Sequence, residues 1–265
     1  FDIYAVRLDT GERKMIVSQA SQPALSPEGT RLAYRSWEAG RQGISVLHVE
    51  TGSVSMWVDR PGVARPAWSP DGHRLAFAAQ QGPGQPWTIF EATDASVEPM
   101  QVRSDGVQGK MPVWLADGRL AYQSCPSNRC GLYANGGGGG GPEQQITDGP
   151  DTAPAASPYG DAVAFISERG GNWDIYLVDC REPAAMPVRL TDDPAREGMP
   201  TWSPDGEWLA FVSDRSGAWA VWIMRPDGSE QRRLFSLGGP LEGRIASVST
   251  HDQPDWTWET MAWGP

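Results

Sequence analysis

Few residues of this 265-residue chain are of a type and spacing that could do chemistry. Carboxylates stand beside arginines in "SER" (167–169) and "SDR" (213–215), where Glu168 and Asp214 could serve as acids or bases. Asp71, Asp117 and Asp205 each precede a glycine. Such acids recur with their surroundings, and a residue demanded by the same turn several times is not thereby a catalyst. The structural reading is a carboxylate that caps backbone N–H groups or pairs with the adjacent Arg. Three histidines, His48, His73 and His251, stand in different strand contexts, too few for a converging metal site. The runs "TDDP" (191–194) and "DGPD" (148–151) read as turns with at most weak Ca²⁺ affinity. No G-x-S-x-G nucleophile elbow occurs. Six consecutive glycines, 136–141, lie between two strand-like runs and open no helix, so they read as a flexible loop, native or engineered. The expectation is no catalytic residue, no metal and no cofactor.

Cys125 and Cys130 bracket "PSNR" between the strand-like runs "RLAYQS" and "GLYAN". A bridge across so short a hairpin loop would contribute roughly 2 kcal/mol and would imply an oxidising compartment. Two free thiols beside a loop are the other reading. Cys180 ends "WDIYLVDC" and reads as a small packing residue. No second Cys/His pair stands at zinc spacing.

The elements that would position these residues repeat along the chain. "QPALSPEGTRLAYRS", "RPAWSPDGHRLAFAA", "MPVWLADGRLAYQS", "APAASPYGDAVAFIS" and "MPTWSPDGEWLAFVS" place prolines at 23, 66, 112, 154 and 200, which are 42 to 46 residues apart. A degenerate sixth start, "QPDWTWETMAW", begins at Gln253. That period suits a four-stranded propeller blade. In each unit a short inner strand carries a large side chain, and a Pro-Asp-Gly or Pro-Glu-Gly turn reverses the chain. An alternating second strand follows, then a third ("PWTIFEA", "NWDIYLV", "AWAVWIM") and a fourth ("QRRLFS", "PVRLTD"). The counts of 31 Gly, 23 Pro and 13 Trp suit many short strands better than long helices.

The pattern predicts an all-β, six-bladed β-propeller of four-stranded antiparallel blades, forming a single domain over 1–265. Its blades span about 19–60, 61–104, 108–147, 150–191 and 196–236, with 250–265 plus 1–18 making a composite sixth. In that sixth blade the N-terminus supplies "FDIYAV" and "RKMIV" as third and fourth strands, and the C-terminus supplies "DQPDWTW" and "TMAW" as first and second. Such a closure leaves no open sheet edge.

The repeat W-S-P-D-G-x-x-L-A-F-x-S-D-R-x-G-x-x-x-I-W, most complete at 202–222, resembles that of TolB-type propellers of the periplasmic Tol-Pal system. It is also similar to propellers that precede the hydrolase domain of prolyl oligopeptidase-like and dipeptidyl-peptidase-like enzymes. The resemblance implies a WD40-like repeat scaffold and specifies fold more than role.

With 33 acidic against 22 basic residues and a net charge of −11, the chain repels a phosphate backbone, so nucleic acid is excluded as a partner. No run approaches the ~18 apolar residues of a membrane helix. The opening "FDIYAVRLDTG" reads as mid-strand, so the expectation is a mature form or excised domain, monomeric, working in the periplasm or outside the cell.

In propellers the loops that enter the inner strands crowd one mouth of the central channel. Here they gather Arg65, Lys110, Met111, Arg196, Glu197, Met199, His251 and Asp252. This mixed-charge, Met-containing rim suits a protein or peptide, or else is a set of solvated loop residues. The expected function is a non-catalytic protein- or peptide-binding module. The alternatives are an accessory or gating propeller of a multidomain, prolyl oligopeptidase-like enzyme, or a propeller that binds a small molecule or glycan.

Overall fold

The computed structural model describes residues 1–82, 84–93, 95, 97–102, 109–135, 143–181, 185–238 and 259–264. A two-stranded sheet comes first, β1 (Asp2–Val6) with β2 (Arg13–Ser18). Blade 1 holds β3 (Ala20–Leu25), β4 (Arg31–Ser36), β5 (Gly43–His48) and β6 (Val54–Asp59). Blade 2 holds β7 (Val63–Trp68), β8 (Leu75–Gln80), β9 (Trp87–Ala92) and β10 (Met100–Gln101). Blade 3 holds β11 (Lys110–Trp114), β12 (Leu120–Ser124), β13 (Gly131–Ala134) and β14 (Gln144–Gln145). Blade 4 holds β15 (Asp151–Ala156), β16 (Ala162–Ser167), β17 (Asp174–Asp179) and β18 (Val188–Arg189). Blade 5 holds β19 (Glu197–Trp202), β20 (Leu209–Ser213), β21 (Ala220–Met224) and β22 (Arg232–Ser236). Every blade is an antiparallel meander, and the first strands of successive blades lie side by side.

The motif turn explains its own residues. In blade 2 the Asp71 carboxylate accepts from the His73 N–H at 3.0 Å, and the Ser69 hydroxyl accepts from Arg74 N–H at 2.9 Å. Blade 5 repeats this with Asp205, Glu207, Ser203 and Trp208. Gly72 and Gly206 close these turns at φ +70°, where a side chain would be strained. The Ser203 hydroxyl and the Glu207 N–H hold the Asp205 carboxyl below the usual range. Asp205 therefore builds a turn.

Each of the five first strands carries a bulge where its pairing register slips. At each slip a non-glycine residue sits at positive φ before a proline: Gln22 (55°), Arg65 (57°), Met111 (55°), Ala153 (49°) and Met199 (51°). Proline has no N–H to offer a ladder, so a bulge is where a sheet can accept it. These five residues are all buried and form a belt around the channel. The belt is cross-linked in part: the Gln22 carboxamide accepts from Arg65 N–H at 2.8 Å, and the Met111 sulfur accepts from Ala153 N–H at 3.4 Å.

The blade count corrects the expectation. Among the described residues there are five four-stranded sheets and one two-stranded sheet, not six four-stranded ones. The expected inner strand "DQPDWTW" lies outside the described residues. The run "TMAW" (260–263), expected as a second strand, is not a strand. Thr260–Trp263 instead lines the central cavity beside the first strands. Met261 and Trp263 bury their side chains against the blade 5 core around Met199 and Trp219. That apolar contact carries the chain along the channel, and a position in a second strand would forfeit it.

Trp202 packs between blades 4 and 5 and donates its indole N–H to the Ala155 carbonyl at 3.0 Å. Trp202→Ala is expected to lower unfolding free energy by about 3–5 kcal/mol in urea titration. A loss below about 1 kcal/mol would contradict this packing role.

Candidate functional site

The arginines of "SER" and "SDR" turn back to the start of their blade's first strand. Arg169 donates to Asp151 Oδ2 at 2.5 Å. Arg215 pairs with Glu197, its Nε 2.9 Å from Oε1, and Ser213 donates to the same oxygen at 3.1 Å. Asp151 and Glu197 are fully buried. Arg215 also lies over the rings of Phe211 and Trp222 at 5.3 and 4.9 Å. Asp214 does not pair with its neighbour Arg215. It accepts from the Arg196 backbone N–H at 2.9 Å and from its guanidinium at 3.0 Å. Apart from Glu168, which is exposed, the motif's acids and bases are thus committed to holding strand ends together.

A third buried carboxylate lies nearby, Asp174, paired at 2.6 Å with the exposed Arg189. Asp174 Oδ1, Asp151 Oδ1 and Glu197 Oε2 have no hydrogen-bond partner. Among the described residues no group of three His, Cys, Asp or Glu is placed to hold a metal. Cys125 and Cys130 are joined by a disulfide that flanks the 3₁₀ turn Pro126–Asn128. Cys180 is buried and free, and burial pushes its thiol up to about 12.

The expected channel-mouth set does not form one exposed rim. Glu197 is buried in its ion pair, which corrects its placement on a partner-facing surface: the blade needs it as the counter-charge to Arg215. Arg65, Met111 and Met199 are buried in the belt. Lys110 and Arg196 are half-buried, with Arg196 also over the Trp219 ring at 5.1 Å. His251 and Asp252 lie outside the described residues, as do the glycines 136–141.

What sequence reasoning missed is a cavity of about 450 Å³ on the channel axis, beside the turns that follow the first strands. The five belt prolines ring it, and Trp68, Trp114, Trp202 and Trp263 lie among its walls. Tyr159, largely exposed, marks the end open to solvent. Among the described residues that line it, Arg65 is the only one with a formal charge. The guanidinium donates to the Glu259 carbonyl at 2.9 Å. A mostly apolar concave site with one placed charge suits ligand binding. The signal was present at Tyr159, which breaks the S-P-D-G motif with a large apolar residue.

Two measurements test this account of the charged residues. Glu197→Leu alone should cost about 3 kcal/mol, because it removes the carboxylate that pairs a half-buried guanidinium, while Glu197→Leu with Arg215→Met should recover most of it. A neutral single variant in denaturant titration would contradict the pairing. Burial raises the Asp174 carboxyl from 3.8 to about 6, against the opposing pull of Arg189. Folding then takes up a proton between those values, so this group's contribution to stability falls as pH rises towards and through about 6. Asp174→Asn should remove that component from the pH dependence of unfolding between pH 4 and 7. Identical slopes in the two proteins would contradict it.

Comparison with known proteins bears on the frame that carries this cavity. Residues 143–249 match the family model described as the TolB beta propeller domain. The protein TolB homologue of Chlorobium luteolum is 27% identical over 183 residues, which cover 67% of this chain and 31% of the relative. The chain thus spans about a third of that curated relative's length. TolB from Acinetobacter baumannii superposes with a TM-score of 0.77 at 21% identity, over 90% of this chain and 60% of that one. A putative TolB from Agrobacterium tumefaciens gives 0.71 at 20%, over 89% and 88%. The tricorn protease gives 0.68 at 17%, over 91% and 25%.

Proposed function

The chain carries a TolB-type β-propeller, and on that premise we propose that it is a non-catalytic protein-binding module whose partner engages the central channel. The observation that carries this reading is the division of residues. Most acids and bases of the repeat are consumed by turns and ion pairs, whereas the prolines and tryptophans of the first strands, together with Arg65 and Tyr159, line an open apolar cavity. An extended peptide or loop suits such a site, since prolines and tryptophans offer apolar area without unmet polar groups. We place the module in the periplasm or another extracytoplasmic space. The Cys125–Cys130 bridge supports that placement, because disulfides persist in oxidising compartments. No described helix is long and apolar enough to cross a membrane.

A second reading, an accessory propeller of a peptidase, is favoured by the fold-level likeness to the tricorn protease and to an acylaminoacyl peptidase of Pyrococcus horikoshii, the latter at a TM-score of 0.60. It too would use the channel, as a passage towards a catalytic domain.

A photo-crosslinking residue at Tyr159 tests the channel reading against the same residue at Val188, which is exposed on the outer strand of blade 4. A defined protein adduct from position 159 that is missing from position 188 is the expected result. Equal adducts from both positions, or none from 159, would contradict it.

A further inference from the structure

Among the described residues, the charge at the inner end of the cavity is unbalanced. Arg65 is 5% exposed, and its guanidinium reaches from blade 2 past blade 1 to the Glu259 carbonyl. Arg35 of β4 lies over the Trp37 ring at 3.8 Å, and its Nη1 is buried without a hydrogen-bond partner. Both cations act on a single carboxylate among the described residues, that of Glu259. Glu259 in turn accepts from the Gln22 backbone N–H. Two buried guanidiniums thus share one carboxylate, which already spends hydrogen-bonding capacity on the belt.

An excess buried cation is costly unless a counter-charge approaches it. Arg65 lines the cavity, and Pro112, Pro200, Trp114 and Trp202 wall the approach to it. We infer that the channel recognises a carboxylate carried on an apolar peptide segment of a protein partner, with Arg65 as its counter-charge. This inference rests on the channel-binding function proposed above and adds the chemistry of the partner. Guanidinium geometry suits a carboxylate, because it can offer two parallel N–H donors. The apolar walls then strengthen the pair by excluding water. Burial lowers Arg65 and Arg35 only to about 10, so both are cationic at neutral pH.

The probes are three short peptides titrated by calorimetry into the whole chain. They are Ac-Pro-Leu-Asp-Leu-NH₂ with an internal acid, Ac-Pro-Leu-Leu-OH with a terminal acid, and neutral Ac-Pro-Leu-Asn-Leu-NH₂. At least one acidic peptide should bind about tenfold or more tighter than the neutral one, and which of them does so identifies the source of the carboxylate. Arg65→Met should abolish the discrimination, while Arg65→Lys should retain part of it. Glu259→Gln removes the competing carboxylate and should tighten acidic peptides severalfold, an outcome that loss of folding cannot mimic. Equal binding of acidic and neutral peptides would overturn the charge assignment and leave the channel reading intact. Binding by none of the three would count against both. Inorganic phosphate that binds as tightly as the acidic peptides would overturn the peptide assignment.

Discussion

The structure depends on one contact between neighbouring blades, a tryptophan at the end of a first strand that reaches back to the previous blade. The Trp68, Trp114 and Trp202 indoles donate to the carbonyls of Ala24, Ala67 and Ala155 at 3.0 to 3.1 Å. Each donation satisfies the one polar atom of a large apolar side chain, so the ring can be buried without a desolvation penalty. In two junctions an arginine of the earlier blade covers the ring, Arg31 over Trp68 at 4.4 Å and Arg74 over Trp114 at 4.3 Å. A blade cannot bury both its faces alone, and this contact supplies the missing partner.

The belt of left-handed residues follows from the same constraint. The first strand must present its tryptophan to the neighbouring blade and also turn its proline to the channel. A strand with strict alternation fixes each side chain's face by parity, and the bulge breaks that parity. The backbone strain of about 1–3 kcal/mol per left-handed residue is offset by packing and by bonds such as that from Arg65 N–H to Gln22. At blade 3 the sulfur of Met111 takes the place of Gln22's oxygen, a weaker acceptor that still faces the N–H of Ala153.

Much of this was legible in the amino-acid sequence. The proline spacing marked the blades, Asp-Gly marked the turns, and the recurrence of Asp205 and Asp214 marked them as structural. The buried carboxylates were not found. Asp151 and Glu197 meet Arg169 and Arg215 across a hairpin, 18 residues away in each case. A signal existed: only blades 4 and 5 have an acid at the first strand's start, and only they carry the matching arginine. The end of the channel that holds the cavity was also hidden, because bulges decide which side chains face inward. Thr260–Trp263 was misplaced because a tryptophan-rich run fits either of two adjacent strands until packing against blade 5 selects one position.

The central claim is a division of labour, in which the acids and bases of the repeat hold the fold while its first-strand prolines and tryptophans, with Arg65 and Tyr159, wall the site. A substitution scan with two separate readouts, protease-resistant yield and capture of an acidic apolar peptide, tests it most directly. Substitutions at Asp205 and Arg215 should lower yield and leave capture per folded molecule unchanged, whereas those at Arg65 and Tyr159 should lower capture at near-normal yield. Substitutions at Asp205 or Arg215 that abolish capture while the protein stays folded would contradict the account.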